Sequence, residues 1–452
     1  MMKTPICDFV KQYTEKDTTR FHMPGHKGVS FLGCEKMDIT EISGADELYD
    51  AESIIAESEE NATRLFGFGK TIYSTEGSSQ CIRTMLFLAL QQAERGAARP
   101  VVLAARNAHK AFLYSCALLD LDVEWLMPEE GERSSLCTCP ITAAQVAKKL
   151  TELEQKPFAV YITAPDYLGY CPDIRALAEV CKKAHIPLLV DNAHGAYLKF
   201  LHPSLHPIDL GAAMSCDSAH KTLPVLTGGA YLQLSEEWAE KIGGQAKKAM
   251  ELFGSTSPSY LILQSLDQCN RYLAEGYPEK LNRTMERVTA LKEALRKQGW
   301  EIMDGDPLKL SVFTGKMGYT GEEVAEVLRK NGVECEFADL DAVVLMATPE
   351  NRERDFERVE AAFRSLPQKK ERSMAAQMPL ALPKRRISIR EAIFSPWEEL
   401  DCWDAVGRIC ASPCVSCPPA IPIAASGEEI TAEMAELFLA YGRKQIQVVK
   451  EK

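Results

Sequence analysis

The chain has 452 residues, of which 46% are hydrophobic and 26% are charged, proportions that are typical of a globular protein with two or three domains. Its formal net charge of −12 argues against nucleic-acid binding, which requires a basic face. The N-terminus lacks the apolar segment of a signal peptide, and no run reaches the roughly 18 apolar residues of a membrane span. We therefore expect a cytoplasmic protein that binds neither nucleic acid nor membrane.

The first 60 residues predict an N-terminal arm, which contains the segment Phe21–Gly28 and leads into an amphipathic helix over Glu52–Phe66. From about residue 70 to 235, short apolar runs alternate with helix-length amphipathic segments. The predicted strands are Lys70–Tyr73, Pro100–Ala104, Val123–Leu126, Phe158–Thr163, Ile186–Val190 and Gly229–Leu234. The predicted helices are Ser78–Gln92, His109–Leu119 and Asp173–Ala184. This alternation indicates an α/β fold with a mostly parallel sheet flanked by helices, and we assign residues 61–300 to it.

The rest of the chain predicts two further units. A long charged helix over residues 280–298 leads into a small α/β domain at 301–366. Its predicted strands are Leu308–Phe313 and Val343–Met346, and its predicted helices are Gly321–Lys330 and Asn351–Leu366. Pro367–Lys384 has the composition of a linker, and residues 367–452 as a whole are assigned to a C-terminal α+β unit.

The 15 cysteines are scattered without a repeating framework, so reduced thiols are the better interpretation. Cys137-x-Cys139 and Cys414-x-x-Cys417 resemble metal half-sites, but no second pair stands at zinc spacing. We therefore predict no metal site.

Asp191 follows the apolar strand Ile186–Val190 and opens the segment Asp191-Asn192-Ala193-His194-Gly195. A carboxylate at a strand end can face a ligand, and in a pyridoxal phosphate site it would pair with the pyridine nitrogen. His194 is suited to steady Asp191 or the ring oxygen, and a loop histidine without this role is the alternative explanation. An aspartate that caps the turn after a strand is the alternative explanation.

Lys221 stands in Ser218-Ala219-His220-Lys221, where small residues outnumber charges and a proline follows. Most lysines are solvated surface residues. A desolvated lysine, however, offers a free amine that forms an imine with pyridoxal phosphate. Ser218 and His220 have side chains that suit phosphate binding and proton transfer. A lysine together with Asp191 makes the minimum set for using this cofactor as an electron sink.

Two further segments fit such a site. Ser74–Ser79 links a strand to a helix, and the backbone N–H groups of a helix N-terminus with serine hydroxyls beside them suit a phosphate. A plain serine cap would give the same pattern. His109 begins a helix, where a flat imidazole can stack on a planar cofactor; a histidine without function is the alternative.

These motifs together resemble the bacterial ornithine/lysine/arginine decarboxylases with the aspartate-aminotransferase-type fold, and the resemblance covers nearly the whole chain. The matching segments are Phe21–Gly28, Gly44–Leu48, Thr75–Ser79, Arg106–Lys110, Asp191–Gly195, Ser218–Lys221, Ser255–Pro258 and Ala405–Ile409. The resemblance implies a large domain of pyridoxal phosphate fold type I and decarboxylation of arginine, lysine or ornithine to agmatine or a diamine, hence a part in polyamine biosynthesis.

The resemblance also implies roles for single residues. Lys221 would hold the cofactor as an imine, Asp191 would pair with the pyridine nitrogen, and His220 or Lys221 would return a proton to Cα. The remaining implied cofactor-binding residues are Gly77, Ser78, Ser79, His109, His194, Ser218, His220 and Thr256. Thr256 would reach the phosphate of the neighbouring subunit, which implies a homodimer or a dimer of dimers.

Two segments depart from the family pattern. Cys417–Pro422 stands where relatives have Y-P-P-G-I-P, and Ser426-Gly427-Glu428 stands where they have P-G-E. The residues alone leave two alternatives open: an aminotransferase or other lyase on the same fold, and a catalytically silent binding protein.

Overall fold

A computed structural model describes residues 2–94, 96, 98–129, 135–373, 382–412 and 421–451. The helices, in chain order, are α1 (Pro5–Glu15), α2 (Ile54–Phe66), α3 (Ser78–Gln91), α4 (Lys110–Leu119), α5 (Ala143–Glu152), α6 (Ile174–Lys183), α7 (Ala219–Thr222), α8 (Glu236–Ile242), α9 (Ala246–Glu251), α10 (Tyr260–Ala274), α11 (Tyr277–Lys297), α12 (Gly321–Lys330), α13 (Glu353–Arg364), α14 (Ile389–Phe394) and α15 (Ala432–Ala440). The strands are β1 (Lys70–Ser74), β2 (Val101–Ala105), β3 (Asp122–Leu126), β4 (Ala159–Thr163), β5 (Leu188–Asp191), β6 (Met214–Asp217), β7 (Ala230–Leu234), β8 (Glu301–Ile302), β9 (Lys309–Phe313), β10 (Phe337–Ala338), β11 (Ala342–Met346), β12 (Trp397–Asp401) and β13 (Gln445–Val449).

The chain forms two compact units, of which the first comprises residues 1–93 and 181–280. In this unit β5 and β6 pair in parallel, with Asp191 opposite Cys216. Strand β7 pairs antiparallel with both β6 and β1. Helix α3 packs on these strands, and α2 packs on β1. Because β5 and β6 run in the same direction, their carboxyl ends lie side by side, about 4.8 Å apart.

The second unit comprises residues 94–180 and 281–452. Strands β3 and β4 both pair in parallel with β2. Strands β8, β9, β11 and β10 form an antiparallel sheet, on which α12 packs through an apolar core that includes Trp300, Val312 and Phe363. Strands β12 and β13 form a separate antiparallel pair.

The predicted fold class, α/β with a mostly parallel sheet flanked by helices, is confirmed. Among the described strands of the first unit, both antiparallel pairings involve β7. Residues 301–366 contain strands and helices, as do the described residues of 382–451, which agrees with the expected α/β and α+β content. The four-part division of the chain stays a prediction. Residues 413–420 and 374–381, which include Cys414, Cys417 and most of the departing segment Cys417–Pro422, lie outside the described residues.

The individual element predictions hold with small shifts. Strand β5 begins at Leu188 instead of Ile186, because Pro187 has no N–H to donate to a sheet. The sequence reasoning missed β6, a four-residue strand that is buried over its whole length, and helices α1, α5 and α10. Among the described residues, no helix is long and apolar enough to cross a membrane.

Candidate active site

Asp191 ends β5 and is almost fully buried. Its Oδ1 accepts hydrogen bonds from the backbone N–H of Ala193 at 3.2 Å and from the Cys216 thiol at 3.4 Å. Burial, with the nearby Asp191 carboxylate, raises the pKa of the Cys216 thiol well above its usual value, so the thiol stays neutral and donates. The carboxylate is therefore held at the end of the strand by donors on one of its oxygens.

Lys221 lies in the short helix α7, directly after β6. Its Nζ is 2.9 Å from Nε2 of His194, which is buried and only three residues beyond Asp191. The contact brings the turn after β5 and the turn after β6 together. Lys221 and Asp191 therefore lie in adjacent turns, as is required of two residues that bind the same ligand.

His220 points towards β7. Its Nδ1 lies 2.9 Å from the carbonyl oxygen of Gly229, and since a carbonyl only accepts, Nδ1 carries the hydrogen. Burial lowers the pKa of His220 below its usual 6.5, with Lys221 adding to the effect. At neutral pH the ring is therefore neutral, and its Nε2 carries no proton.

The N-terminus of α3 reaches the same turn. Gly77 precedes the helix with φ of 70°, and a side chain added there would meet nothing within 4 Å. Ser218 donates a hydrogen bond of 2.9 Å to the Ser78 hydroxyl, and Gly77 N–H donates to Gly228 O at 2.7 Å. Ser79 follows in the first helical turn. A helix N-terminus with two hydroxyls and open space before it suits a phosphate.

Thr256 is exposed in the segment that joins α9 to α10. The neighbouring Ser255 N–H donates to the carboxylate of Glu76, the residue before Gly77. The segment of Thr256 is thus held beside the start of α3 within the same chain, and its role across a subunit boundary stays a prediction.

His109 belongs to the second unit, where it caps the N-terminus of α4. Its Nδ1 accepts a 3.1 Å hydrogen bond from Ala111 N–H, so the neutral ring carries its hydrogen on Nε2. This bond fixes the orientation of the imidazole, and the predicted stacking on a cofactor stays a prediction.

The sequence reasoning missed a buried network directly behind the candidate site. Asp217 ends β6 and is hydrogen-bonded to Asn192, His206 and Gln233, all fully buried. Asn192 lies inside the predicted motif Asp191–Gly195, and Asp217 directly precedes Ser218–Lys221; these positions are the only sequence signal of the network. His206 and Gln233 belong to neither motif, and only the fold brings them into contact with Asp217.

The residues of the first unit fit pyridoxal phosphate by their chemistry: an amine, a buried carboxylate and a helix N-terminus with hydroxyl groups. Among the described residues, no cluster of three or more histidine, cysteine or acidic side chains is arranged to hold a metal ion.

Comparison with known proteins agrees with this assignment. The family model "Orn/Lys/Arg decarboxylase, major domain" matches residues 4–305. The arginine decarboxylase of Bacillus subtilis is 28% identical over 462 residues, covering 95% of this chain and 92% of the relative. The arginine decarboxylase of Halalkalibacterium halodurans is also 28% identical, over 98% of this chain and 93% of its own length.

Among solved structures, the lysine decarboxylase LdcF of Francisella novicida shares the fold, with a TM-score of 0.80 and 16% identity. The alignment covers 99% of this chain and 81% of that one. Since the family model spans more than half of the chain, the protein belongs to the Orn/Lys/Arg decarboxylases, the pyridoxal-phosphate-dependent carboxy-lyases of basic amino acids.

Proposed function

We propose that the enzyme decarboxylates arginine to agmatine and CO2, with Lys221 and Asp191 as its central residues. The observation that carries the site assignment is the 2.9 Å contact between Lys221 Nζ and His194 Nε2, which joins the lysine to the turn of the buried Asp191. The choice of arginine is supported by the names of the relatives from Bacillus subtilis and Halalkalibacterium halodurans, each aligned over nearly the whole chain.

Lys221 would hold pyridoxal phosphate through its amine, and Asp191 would keep the pyridine nitrogen protonated. Pyridoxal phosphate, when bound, supplies a cationic ring that accepts the electrons released from Cα as CO2 leaves. The His194 imidazole takes up the proton that Lys221 must lose before its amine can react. Gly77, Ser78, Ser79 and Ser218 hold the phosphate at the start of α3, where the helix dipole favours an anion.

The proton that returns to Cα comes from Lys221 and not from His220. At neutral pH the His220 ring is neutral because burial lowers its pKa, and its one hydrogen lies on Nδ1, bonded to Gly229 O. Its Nε2 can therefore accept a proton but has none to give. The Nζ of Lys221 lies in the same turn and would be the donor of this proton.

We also propose that the enzyme is a cytoplasmic homodimer, that agmatine feeds polyamine synthesis, that His109 stacks on the cofactor ring and that Thr256 acts in the site of the neighbouring subunit. Mixing inactive Lys221→Ala protein with impaired Thr256→Ala protein tests the shared site, because each mixed dimer regains one intact site. Recovered activity after mixing supports the shared site, and activity equal to the average of the two unmixed samples contradicts it.

The substrate test uses the holoenzyme with arginine, lysine or ornithine labelled at the carboxyl carbon. We expect arginine to give the highest kcat/KM, with agmatine formed in equal amount to CO2, and no turnover in Lys221→Ala. A preference for lysine or ornithine would contradict the proposal that arginine is the substrate. A keto acid formed without CO2 would indicate an aminotransferase, and bound cofactor without turnover would indicate a silent binding protein.

A further inference from the structure

We propose that Asn192 and Asp217 are positioning residues whose side-chain hydrogen bond sets the turn of Lys221 against the turn of Asp191; the inference rests on the roles proposed for Lys221 and Asp191. Asn192 directly follows Asp191, and Asp217 lies four residues before Lys221. Asn192 Nδ2 donates to Asp217 Oδ1 at 2.6 Å. Neither side chain is exposed to solvent.

The Asp217 carboxylate is held from three sides. His206 Nε2 lies 3.0 Å from Oδ2 and 3.3 Å from Oδ1, and Gln233 Nε2 donates to Oδ2 at 3.0 Å. The His206 Nδ1 accepts from Ile208 N–H at 3.2 Å, so its hydrogen lies on Nε2 and points at the carboxylate. Together with Asn192, these donors leave Asp217 one arrangement in which all of them are paired.

The network is anchored in the sheet and not in the loops that it orients. Gln233 lies on β7, and its Oε1 accepts a 2.6 Å hydrogen bond from Thr71 Oγ1 on β1. Asp217 itself ends β6. Asn192, His206 and Gln233 each direct a donor to the Asp217 carboxylate, and buried hydrogen bonds of this kind rigidify their surroundings. The end of β6, from which the Lys221 turn starts, is thus fixed to the neighbouring strand β7 and, through Gln233, to β1.

Asn192 links the fixed end of β6 to the turn that contains Asp191 and His194. Its backbone N–H donates to Cys216 O at 3.0 Å, and its carbonyl accepts from Gly195 N–H at 2.8 Å. A Cβ on Gly195 would lie only 2.0 Å from Asn192 Oδ1, so a glycine is required for the turn to close over this amide. The same turn presents His194 to Lys221 Nζ. Asn192 is therefore bonded to Asp217 through its side chain while its backbone shapes the turn of Asp191 and His194.

This arrangement matters for the chemistry because a lysine and a carboxylate that serve one ring must keep a fixed separation. Reactive groups held loosely, by as little as about 1 Å, can lose a hundredfold in rate. The paired strands fix the backbone as far as Asp191 and Asp217, but Lys221 lies four residues beyond the end of β6. The side-chain hydrogen bond from Asn192 to Asp217 links the turn after β5 to the turn after β6.

The test compares Asn192→Ser with Asn270→Ser in the holoenzyme. Asn270 is also fully buried in the first unit, where its Nδ2 donates to Tyr73 Oη at 2.8 Å and to Ser58 O at 3.0 Å. Both variants lose a buried amide, but only Asn192→Ser loses the link between the turns. Asn192→Ser also leaves the charge of Asp217 in place.

Four measurements separate positioning from stability: kcat and KM for arginine, the pH titration of the cofactor's visible absorbance, the rate of cofactor loss, and hydrogen exchange of residues 191–195 and 216–221 in cofactor-free protein. For Asn192→Ser we expect kcat to fall about tenfold to a hundredfold with little change in KM. We also expect a shifted absorbance titration, faster cofactor loss and faster exchange in both segments. Asn270→Ser should lower the melting temperature and leave the four other measurements unchanged.

The proposal is overturned if Asn192→Ser merely melts earlier, as Asn270→Ser does, with the absorbance titration and hydrogen exchange of the wild type. If Asn192→Ser does not fold, the same measurements on Asp217→Asn test the proposal, because this substitution also breaks the hydrogen bonds of the network. Wild-type protein that shows no absorbance dependent on Lys221 would instead refute the proposed function, and the exchange measurement would still report whether the two turns are linked.

Discussion

Replacing Glu428 with alanine is expected to destabilise the second unit severely. The Glu428 carboxylate binds Arg106 through two parallel bonds, Nη1 to Oε1 at 2.7 Å and Nη2 to Oε2 at 2.8 Å. The side chains are 1% exposed for Arg106 and 5% for Glu428. Oε2 also accepts from Ala425 N–H at 2.7 Å. Alanine would leave a buried guanidinium without its counter-charge.

The size of the loss follows from this burial. Removing one partner of a buried ion pair costs about 3–5 kcal/mol, because the other charge remains uncompensated. Replacing both partners with apolar residues of similar volume is often neutral or stabilising. The double variant Arg106→Met/Glu428→Leu should therefore recover most of the loss, and methionine keeps a side chain over Trp125, whose ring lies 5.3 Å from the Arg106 guanidinium carbon.

The assay is urea unfolding followed by fluorescence, with Glu429→Ala as the matched control. Glu429 is the next residue and pairs with Arg386 at the surface, where the side chains are 28% and 44% exposed. Loss of an exposed pair costs about 0–1 kcal/mol. The reasoning is refuted if Glu428→Ala costs no more than Glu429→Ala, or if the double variant is as unstable as Glu428→Ala alone.

The remaining predictions concern the site and the pH dependence of stability. Lys221→Ala should abolish turnover and the visible absorbance of the bound cofactor while circular dichroism stays that of the wild type; retained absorbance would contradict the assignment. Asp191→Ala should keep the fold but lose at least about a hundredfold in kcat, and near-normal turnover would rule out its role. Burial raises the pKa of Asp267 to about 6, so the native state holds a proton that the unfolded state has lost. Its contribution to stability is present below about pH 4 and is lost as the pH rises through about 6. Unfolding titrations between these values should therefore show a smaller fall in stability for Asp267→Asn than for the wild type, and equal slopes would contradict the raised pKa.

Much of the large domain was predictable because its strands are continuous apolar runs bounded by turn residues. Val101–Ala105 and Leu188–Asp191 are of this kind, and their period and length distinguish them from the helices between them. The site motifs were predictable for a related reason. They follow the strands directly, and the order of elements places their ends at one edge of the sheet.

Strand β6 shows what the sequence could not predict. Met214-Ser215-Cys216-Asp217 alternates apolar and polar residues over only four positions, and such alternation predicts a half-buried strand, whereas all four residues are buried. It forms a strand because β5 and β7 pair on its two sides. The buried Asp217 is tolerated because the fold supplies partners for it from three other segments, and tertiary context of this kind overrides local propensity.

The same reasoning explains why the candidate site was found while its support was not. Lys221 and Asp191 belong to a chemistry that requires an amine and an acid, so residue type alone suggests them. Asn192, His206 and Gln233 are suited to hydrogen bonding in any buried place, and only their convergence on Asp217 distinguishes them. A substitution of Asp217, His206 or Gln233 would leave every motif of the active site intact in the sequence. If it nevertheless changed the titration of the bound cofactor, the geometry of the turns would be as much a part of the catalyst as the residues that touch the substrate.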